Sequence, residues 1–296
     1  MNGIIVVNKP SGISSSDVVV KCRIALSKAL GYKVKCGHMG TLDPLACGVL
    51  VLGVGKSTRL FDIMQIKRKA YRARIIFGVE TDTLDSEGNV VATSSLPKIE
   101  DVISSLQKFR GEISQIPPMY SAISINGMRA YTLARQGIQV DIKPRIVNIF
   151  GLQAVRNECN GELCKSIDID IECSSGTYIR SLVRDIAHSV GVVGYMAYLI
   201  RVKSGNFDIN NAVTLDEFLK NPLQNVLDTL GVLREILPVY EVPVGCRKKV
   251  VNGVECNIGD NLEELSVLTI DGKIFSIAET KNNITKSITN LWEDEK

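Results

Sequence analysis

Histidine occurs only twice in this chain of 296 residues, at His38 and His188. So few imidazoles leave little room for a metal centre or for Ser-His-Asp chemistry. Eight cysteines stand at 22, 36, 47, 159, 164, 173, 246 and 256, without a Cys-x-x-Cys pair. Cys36, His38 and Cys47 lack the fourth ligand that a structural zinc site needs. No run approaches the ~18 apolar residues of a membrane span. The opening Met1-Asn2-Gly3-Ile4-Ile5-Val6-Val7 has no charged region ahead of its apolar run and no cleavage site, so a cytoplasmic protein with reduced thiols is expected. The net charge is only +3. Any nucleic-acid binding must therefore come from local patches rather than a global field. Repeats and low-complexity tracts are also lacking.

What is present reads as an ordinary globular chain, 45% hydrophobic and 23% charged. Its size suits one large domain and a small one. Gly3 to Asn8 reads as a strand, and Ser15 to Leu30 as a helix with Val18, Val19, Cys22, Ala25, Leu26 and Ala29 on one face. Lys69 to Phe77 reads as a strand and Ile99 to Phe109 as an amphipathic helix. Met128 to Gln136 reads as a short helix closed by Gly137. Ile167-Asp168-Ile169-Asp170-Ile171-Glu172 alternates as a strand with one wet face, which makes its three acids solvated surface rather than a metal cluster. Thr214 and Glu217 form a capping-box pattern. From about Leu237 short β-like runs are broken by Asn252-Gly253 and Asp271-Gly272, both hairpin signals. The fold class expected is α+β, with much antiparallel sheet and a small β-rich C-terminal domain.

Among the motifs, Gly37-His38-Met39-Gly40-Thr41-Leu42-Asp43-Pro44-Leu45-Ala46-Cys47-Gly48 sets one carboxylate in an apolar, glycine-lined segment. Pro44 biases Asp43 toward extended dihedrals, and Val49 to Leu52 reads as a buried strand that would anchor the loop. Such an acid suits a reactive carboxylate. The same residues also suit a helix start, with Asp43 as N-cap and Pro44 as first helical residue. Leu50 to Thr58 looks like a strand entering a phosphate-binding loop. That pattern, however, needs a glycine five positions before Gly55, where Leu50 stands, so nucleotide hydrolysis is disfavoured. Lys56 and Arg59 remain suited to RNA phosphates.

Lys67-Arg68-Lys69-Ala70-Tyr71-Arg72-Ala73-Arg74 carries five cations and one aromatic. On a strand, Tyr71 shares a face with Lys67, Lys69 and Ala73. An aromatic among cations suits base stacking, while a lysine-guarded edge strand with Tyr71 as core is the plainer reading. Ser174 to Asp185 leaves the alternating strand and opens a helix. Arg180 in its first turns would need a carboxylate partner if buried, and Asp43 is a candidate. Arg247-Lys248-Lys249 suits phosphate contact, and the chain ends in acidic Glu293-Asp294-Glu295.

These motifs, taken in order, resemble the bacterial tRNA pseudouridine-55 synthases of the TruB type. The resemblance is carried by Lys9-Pro10-Ser11-Gly12, the Gly37 to Gly48 run, Lys69-Ala70-Tyr71, Pro117-Pro118-Met119-Tyr120-Ser121-Ala122, Ala134-Arg135-Gln136-Gly137 and Gly176-Thr177-Tyr178-Ile179-Arg180. Ser14, Cys47, Tyr195 and Leu199-Ile200-Arg201 depart from the usual pattern. The resemblance implies a mainly antiparallel sheet flanked by helices over 1–236 and a PUA-like RNA-binding domain over 237–296. It implies isomerisation of a tRNA T-loop uridine without cofactor or metal: the glycosidic bond breaks, the uracil turns, and carbon 5 is joined to the sugar. Asp43 is implied as nucleophile, with Tyr71 and Arg180 as catalytic partners and Arg180 paired to Asp43. His38 would wedge the T-loop open, Tyr71 would stack on the extruded base, and Tyr178 and Leu199 would line the uracil pocket. The expected partner is the tRNA T-arm, with a monomeric enzyme needing no protein partner and no membrane. The other readings are a tRNA-binding or folding protein with secondary isomerase activity, and a guide-RNA-dependent synthase, which usually carries more basic extensions and a larger RNA-binding domain.

Overall fold

The structure is a computed structural model and describes residues 1–65, 68–121, 123–125, 127–138 and 140–292. The expectations that involve Lys67, Ala122 and Glu293-Asp294-Glu295 lie outside the described residues. The chain forms two compact units: Met1–Pro44, Val49–Gln65 and Asn206–Lys296 make one, and Leu45–Gly48 with Ile66–Gly205 make the other.

In the first unit the strand Gly3–Lys9 runs between Val213–Thr214, to which it is parallel, and Cys47–Val54. Cys36–His38 adds to Cys47–Val54 in antiparallel fashion. The helix Ser15–Leu30 starts where its sequence places a start. Ser14 caps it through a complete capping box with Asp17, and Gly31 ends it in the left-handed region at φ 76. The C-terminal residues form a four-stranded sheet of Val239–Glu241, Leu265–Ile270, Lys273–Lys281 and Ile284–Asn290. Strand alternation gives this sheet two apolar faces. Val267 and Ile277 pack with Ile4, Val6, Val51 and Leu60, while Leu268, Phe275 and Ala278 pack with Val242 and Val250.

The second unit is built on antiparallel pairing. Gly194–Ser204 pairs with Lys69–Phe77, which pairs with Leu163–Cys173. Leu163–Cys173 then pairs with Arg145–Asn160, and that strand with Gly111–Gln115. Cys47 and Gly48 add parallel to Ile200 and Arg201 on the other side of Gly194–Ser204. Gly48 sits at φ +105, and a Cβ there would collide with the carbonyl of Arg201, so only glycine allows this approach. The helix Ile179–Ser189 packs on Gly194–Ser204 and Lys69–Phe77. The expected α+β class with a mainly antiparallel sheet and a β-rich C-terminal part is what the chain forms.

Several local expectations are corrected. Asn252-Gly253 makes no hairpin. It ends the helix Val244–Val251, with Asn252 as C-cap and Gly253 at φ +73, because a left-handed glycine serves a helix end as well as a turn. Asp271-Gly272 does join two antiparallel strands, Leu265–Ile270 and Lys273–Lys281. Ile99–Phe109 is an α-helix only to Ser105 and a 3-10 turn from Leu106 to Phe109. The helix expected from Met128 begins at Ala130 and ends at Arg135. Cys246 and Cys256 form a disulfide across the end of the helix Val244–Val251, so the expectation of reduced thiols holds only for the other six cysteines.

Of the three acids on Leu163–Cys173, Glu172 is exposed and Asp170 half-buried, as a wet face requires, whereas Asp168 is buried, and each of them meets an arginine. Asp168 takes a bidentate pair from Arg74 at 2.7 and 2.9 Å, and Asp170 one from Arg72 at 2.7 and 2.8 Å. Glu172 meets Arg68 at 3.4 Å. Arg72 and Arg74 therefore face away from Tyr71, with their charges matched across the strand pair, and they are not free cations beside it. The hydrogen bonds from Arg74 hold the Asp168 carboxyl below the usual carboxylate range.

Candidate active site

The loop that carries Asp43 is pinned on both sides of the acid. Before it, the Leu42 N–H donates to Ser15 Oγ at 2.8 Å, and Ser15 Oγ donates to the Leu42 carbonyl at 2.8 Å. After it, the Pro44 carbonyl accepts from the Gly12 N–H at 2.9 Å and from Lys9 Nζ at 3.2 Å. Lys9 is wholly buried, and its ammonium also donates to the carbonyls of Pro10 and Ile13. A buried ammonium has three donors, and three carbonyls take them. The Lys9-Pro10-Ser11-Gly12 segment thus serves as the footing of the Asp43 loop. No helix follows Pro44, so the N-cap reading of Asp43 is overturned: the next regular element is the strand Cys47–Val54. Asp43 itself is half-buried, as is His38 at the end of the strand Cys36–His38.

Asp43 and His38 belong to the first unit, while Tyr71, Tyr178, Arg180 and Leu199 belong to the second. Tyr71 and Leu199 lie on adjacent strands. Tyr71 is opposite Arg201 and Leu199 is opposite Ala73, and both residues are buried. The buried face of Lys69–Phe77 holds Lys69, Tyr71, Ala73, Ile75 and Phe77. Burial, with the Arg201 cation as a second contributor, pushes the Lys69 ammonium down to about 8.

Tyr178 and Arg180 stand at the start of the helix Ile179–Ser189, and each has partners that the motifs alone did not reveal. Gln115 is fully buried and holds the Tyr178 backbone from both sides: its Oε1 accepts from the Tyr178 N–H at 2.8 Å, and its Nε2 donates to the Tyr178 carbonyl at 3.1 Å. The Arg145 guanidinium lies 4.4 Å from the centre of the Tyr178 ring. Desolvation holds Arg145 below the usual arginine range. Arg180 is buried and donates to the carbonyls of Thr83 at 3.0 Å and Tyr120 at 2.9 Å. It also forms an ion pair with Asp85 at 3.4 Å, with both side chains only 6% exposed. Asp85 is fixed in turn by Thr83 Oγ1 at 2.6 Å and the Glu87 N–H at 3.1 Å. The requirement that Arg180 meet a carboxylate was legible, but Asp85 as one supplier was not, because it lies in a polar stretch, Thr81-Asp82-Thr83-Leu84-Asp85-Ser86, that reads as an exposed turn.

In the C-terminal sheet region Arg247 is held by Glu241 at 3.3 Å and Asp271 at 2.8 Å, which removes it from the proposed phosphate contacts. Lys248 and Lys249 are exposed. Among the described residues no group of three or more His, Cys, Asp or Glu side chains is placed to hold a metal ion. No described helix is long and apolar enough to cross a membrane.

The family model of the TruB pseudouridylate synthase N-terminal domain matches residues 27–179, and that of the tRNA pseudouridylate synthase B C-terminal domain matches 180–242. The chain belongs to the TruB family. The tRNA pseudouridine synthase B of Clostridium kluyveri is 37% identical over 287 residues, covering 94% of this chain and 91% of that protein. The tRNA pseudouridine synthase B of Lactobacillus acidophilus is 34% identical over 304 residues, covering all of both chains. A chain in a solved H/ACA RNP bound to a substrate RNA containing 2′-deoxyuridine matches with a TM-score of 0.70 at 19% identity. That match covers 98% of this chain and 85% of the other, and it speaks for the fold alone.

Proposed function

We propose that this TruB-family enzyme isomerises the T-loop uridine 55 of tRNA to pseudouridine, with Asp43 as its nucleophile. The observation that carries this reading is the doubly pinned Asp43 loop. Ser15 fixes the peptide before the acid, and Lys9 with Gly12 fixes the peptide after it, so one carboxylate is held in a defined place. Pre-positioning a reacting group removes motion that would otherwise oppose reaction. Asp43 acts on the sugar or the base of the extruded nucleotide. The C1′–N1 bond breaks, the uracil turns, a C1′–C5 bond forms, the proton on carbon 5 leaves to solvent and N1 takes up a proton in its place.

Within this reading Arg180 is a catalytic partner of Asp43. Tyr71 stacks on the uracil, and such stacking, roughly 1–3 kcal/mol, offsets much of the cost of extruding the base. Tyr178 and Leu199 line the uracil pocket and His38 wedges the T-loop. Residues 1–236 form the catalytic domain and 237–296 a PUA-like RNA-binding domain. The enzyme acts in the cytoplasm as a monomer on the tRNA T-arm, with no cofactor and no protein partner. Asp43, Tyr71 and Arg180 all being present weighs against a tRNA-folding protein that has lost the chemistry.

The test is tritium release from carbon-5-labelled uridine in unmodified tRNA, followed by mapping of the product position. Release with pseudouridine at position 55 supports the reading; no release, or product elsewhere, overturns it.

A further inference from the structure

Where the strand Cys47–Val54 ends, a 3-10 turn over Gly55–Leu60 follows. Tyr32, Lys33 and Lys35, just past the helix Ser15–Leu30, line a cleft of about 910 Å³ together with Gly55, Lys56 and Arg59. Four of these residues are cations, and among the described residues no Asp or Glu lines the cleft. Lys56 donates to the carbonyl of Trp292, and Arg59 donates to that of Asn290 at 2.9 Å. Neutral acceptors fix the two side chains while leaving their positive charge in place. Tyr32 stays half exposed, at 50%, although it lines a concave surface.

An exposed aromatic ring set among cations is what a base with its phosphates requires. The Gly55-Lys56 sequence suits either a free nucleotide or the phosphates of an RNA, and the backbone decides between them. The Gly55 N–H donates to the Lys35 carbonyl at 2.8 Å, and the Lys56 N–H donates to Asn2 Oδ1 at 2.7 Å. With these N–H groups engaged, the turn has no cradle for the phosphate chain of a free nucleotide. Side-chain cations spread around a ring instead suit the spaced phosphates of a strand. A duplex hides its base faces, so the strand must be unpaired.

We propose that this cleft binds an unpaired stretch of RNA, with one base stacked on Tyr32 and its phosphates held by Lys33, Lys35, Lys56 and Arg59. The cleft adds a second RNA contact to the proposed function and rests on that reading only for the identity of the RNA.

The test is fluorescence anisotropy with a labelled, unstructured eight-nucleotide oligouridine against the full chain and three variants. Tyr32→Ala is expected to bind at least about fivefold more weakly, the lower end of the loss of one stacked base. Tyr32→Phe, which keeps the ring, stays within about twofold. The double variant Lys33→Ala/Lys35→Ala flattens the slope of log affinity against log salt by about 1.4, at roughly 0.7 for each single-strand phosphate contact. ATP displaces the oligonucleotide no better than inorganic phosphate does. Wild-type affinity in Tyr32→Ala, absence of oligonucleotide binding, or saturable competition by ATP would each overturn the proposal, the last by making a free nucleotide the occupant. All three positions are exposed, and thermal melts check that the variants fold. Tritium release run on the same wild-type preparation separates the two readings: its failure sinks the proposed function and leaves the anisotropy result standing.

Discussion

Arg180 and Asp85 approach to 3.4 Å with both side chains almost completely buried. Four further contacts hold the pair in place: Arg180 donates to the carbonyls of Thr83 and Tyr120, and Asp85 accepts from Thr83 Oγ1 and the Glu87 N–H. Breaking a buried pair from one side leaves an uncompensated charge, which typically destabilises by about 3–5 kcal/mol. Asp85→Ala is therefore expected to lower the free energy of unfolding by that order, measured by urea titration. A change under about 0.5 kcal/mol would show that Arg180 does not depend on Asp85.

Lys69 gives a pH dependence of definite sign. Its ammonium titrates at about 8 in the fold, below the ordinary value near 10.4, because burial disfavours the charged form. Between those two values the unfolded chain binds more protons, so stability rises with pH across that window. Below pH 8 the full penalty applies, on the order of 3 kcal/mol. Lys69→Met should then be more stable than wild type at pH 7, with the advantage vanishing by about pH 10.5. Taken as a difference between the two proteins, the comparison cancels the other titrating groups. An advantage that is the same at both pH values would contradict the assignment.

Tyr71 is assigned two roles, stacking under the uracil and handling a proton. Tyr71→Phe keeps the ring and removes the phenol, whereas Tyr71→Leu removes both. If the phenol takes part in the chemistry, the Phe variant binds tRNA normally and turns over far more slowly. If the ring only stacks, Phe behaves as wild type and Leu is the damaged variant. Both behaving as wild type would make Tyr71 core filler on the buried face it shares with Ala73 and Ile75.

Thiol titration under denaturing conditions checks the C-terminal bond. Six thiols are expected before reduction and eight after it. A cross-link of this short span contributes about 2–3 kcal/mol by constraining the unfolded chain. Cys256→Ser should accordingly unfold at lower urea than wild type. Eight reactive thiols without reductant would restore the expectation made from sequence.

Periodic elements were legible because their cause is local. The helix Ser15–Leu30 and the strand Lys69–Phe77 have the bounds their apolar spacing and caps indicate. Asn252-Gly253 misled because one dipeptide satisfies two geometries, a hairpin turn and a helix end. Asp43 stood out as a Pro-fixed carboxylate, but nothing local distinguishes Ser15, whose hydroxyl clamps Leu42 from 27 residues away, or Gln115, which grips Tyr178 from 63 residues away. The same holds for Arg72 and Arg74. Their basic run suggested free cations, and only the register with Leu163–Cys173 shows that Asp170 and Asp168 take them.

Asp43→Asn, assayed by tritium release from carbon-5-labelled uridine in tRNA, tests the central claim most directly. The substitution keeps the size of the side chain and the Pro44 constraint and removes only the charge that attacks. Isomerisation should fall below about a hundredth of the wild-type rate, a loss of roughly 3 kcal/mol or more in the barrier, while tRNA affinity stays within a few-fold. A variant that retains more than that hundredth, with tRNA bound as before, would show that the pinned carboxylate is not the essential group.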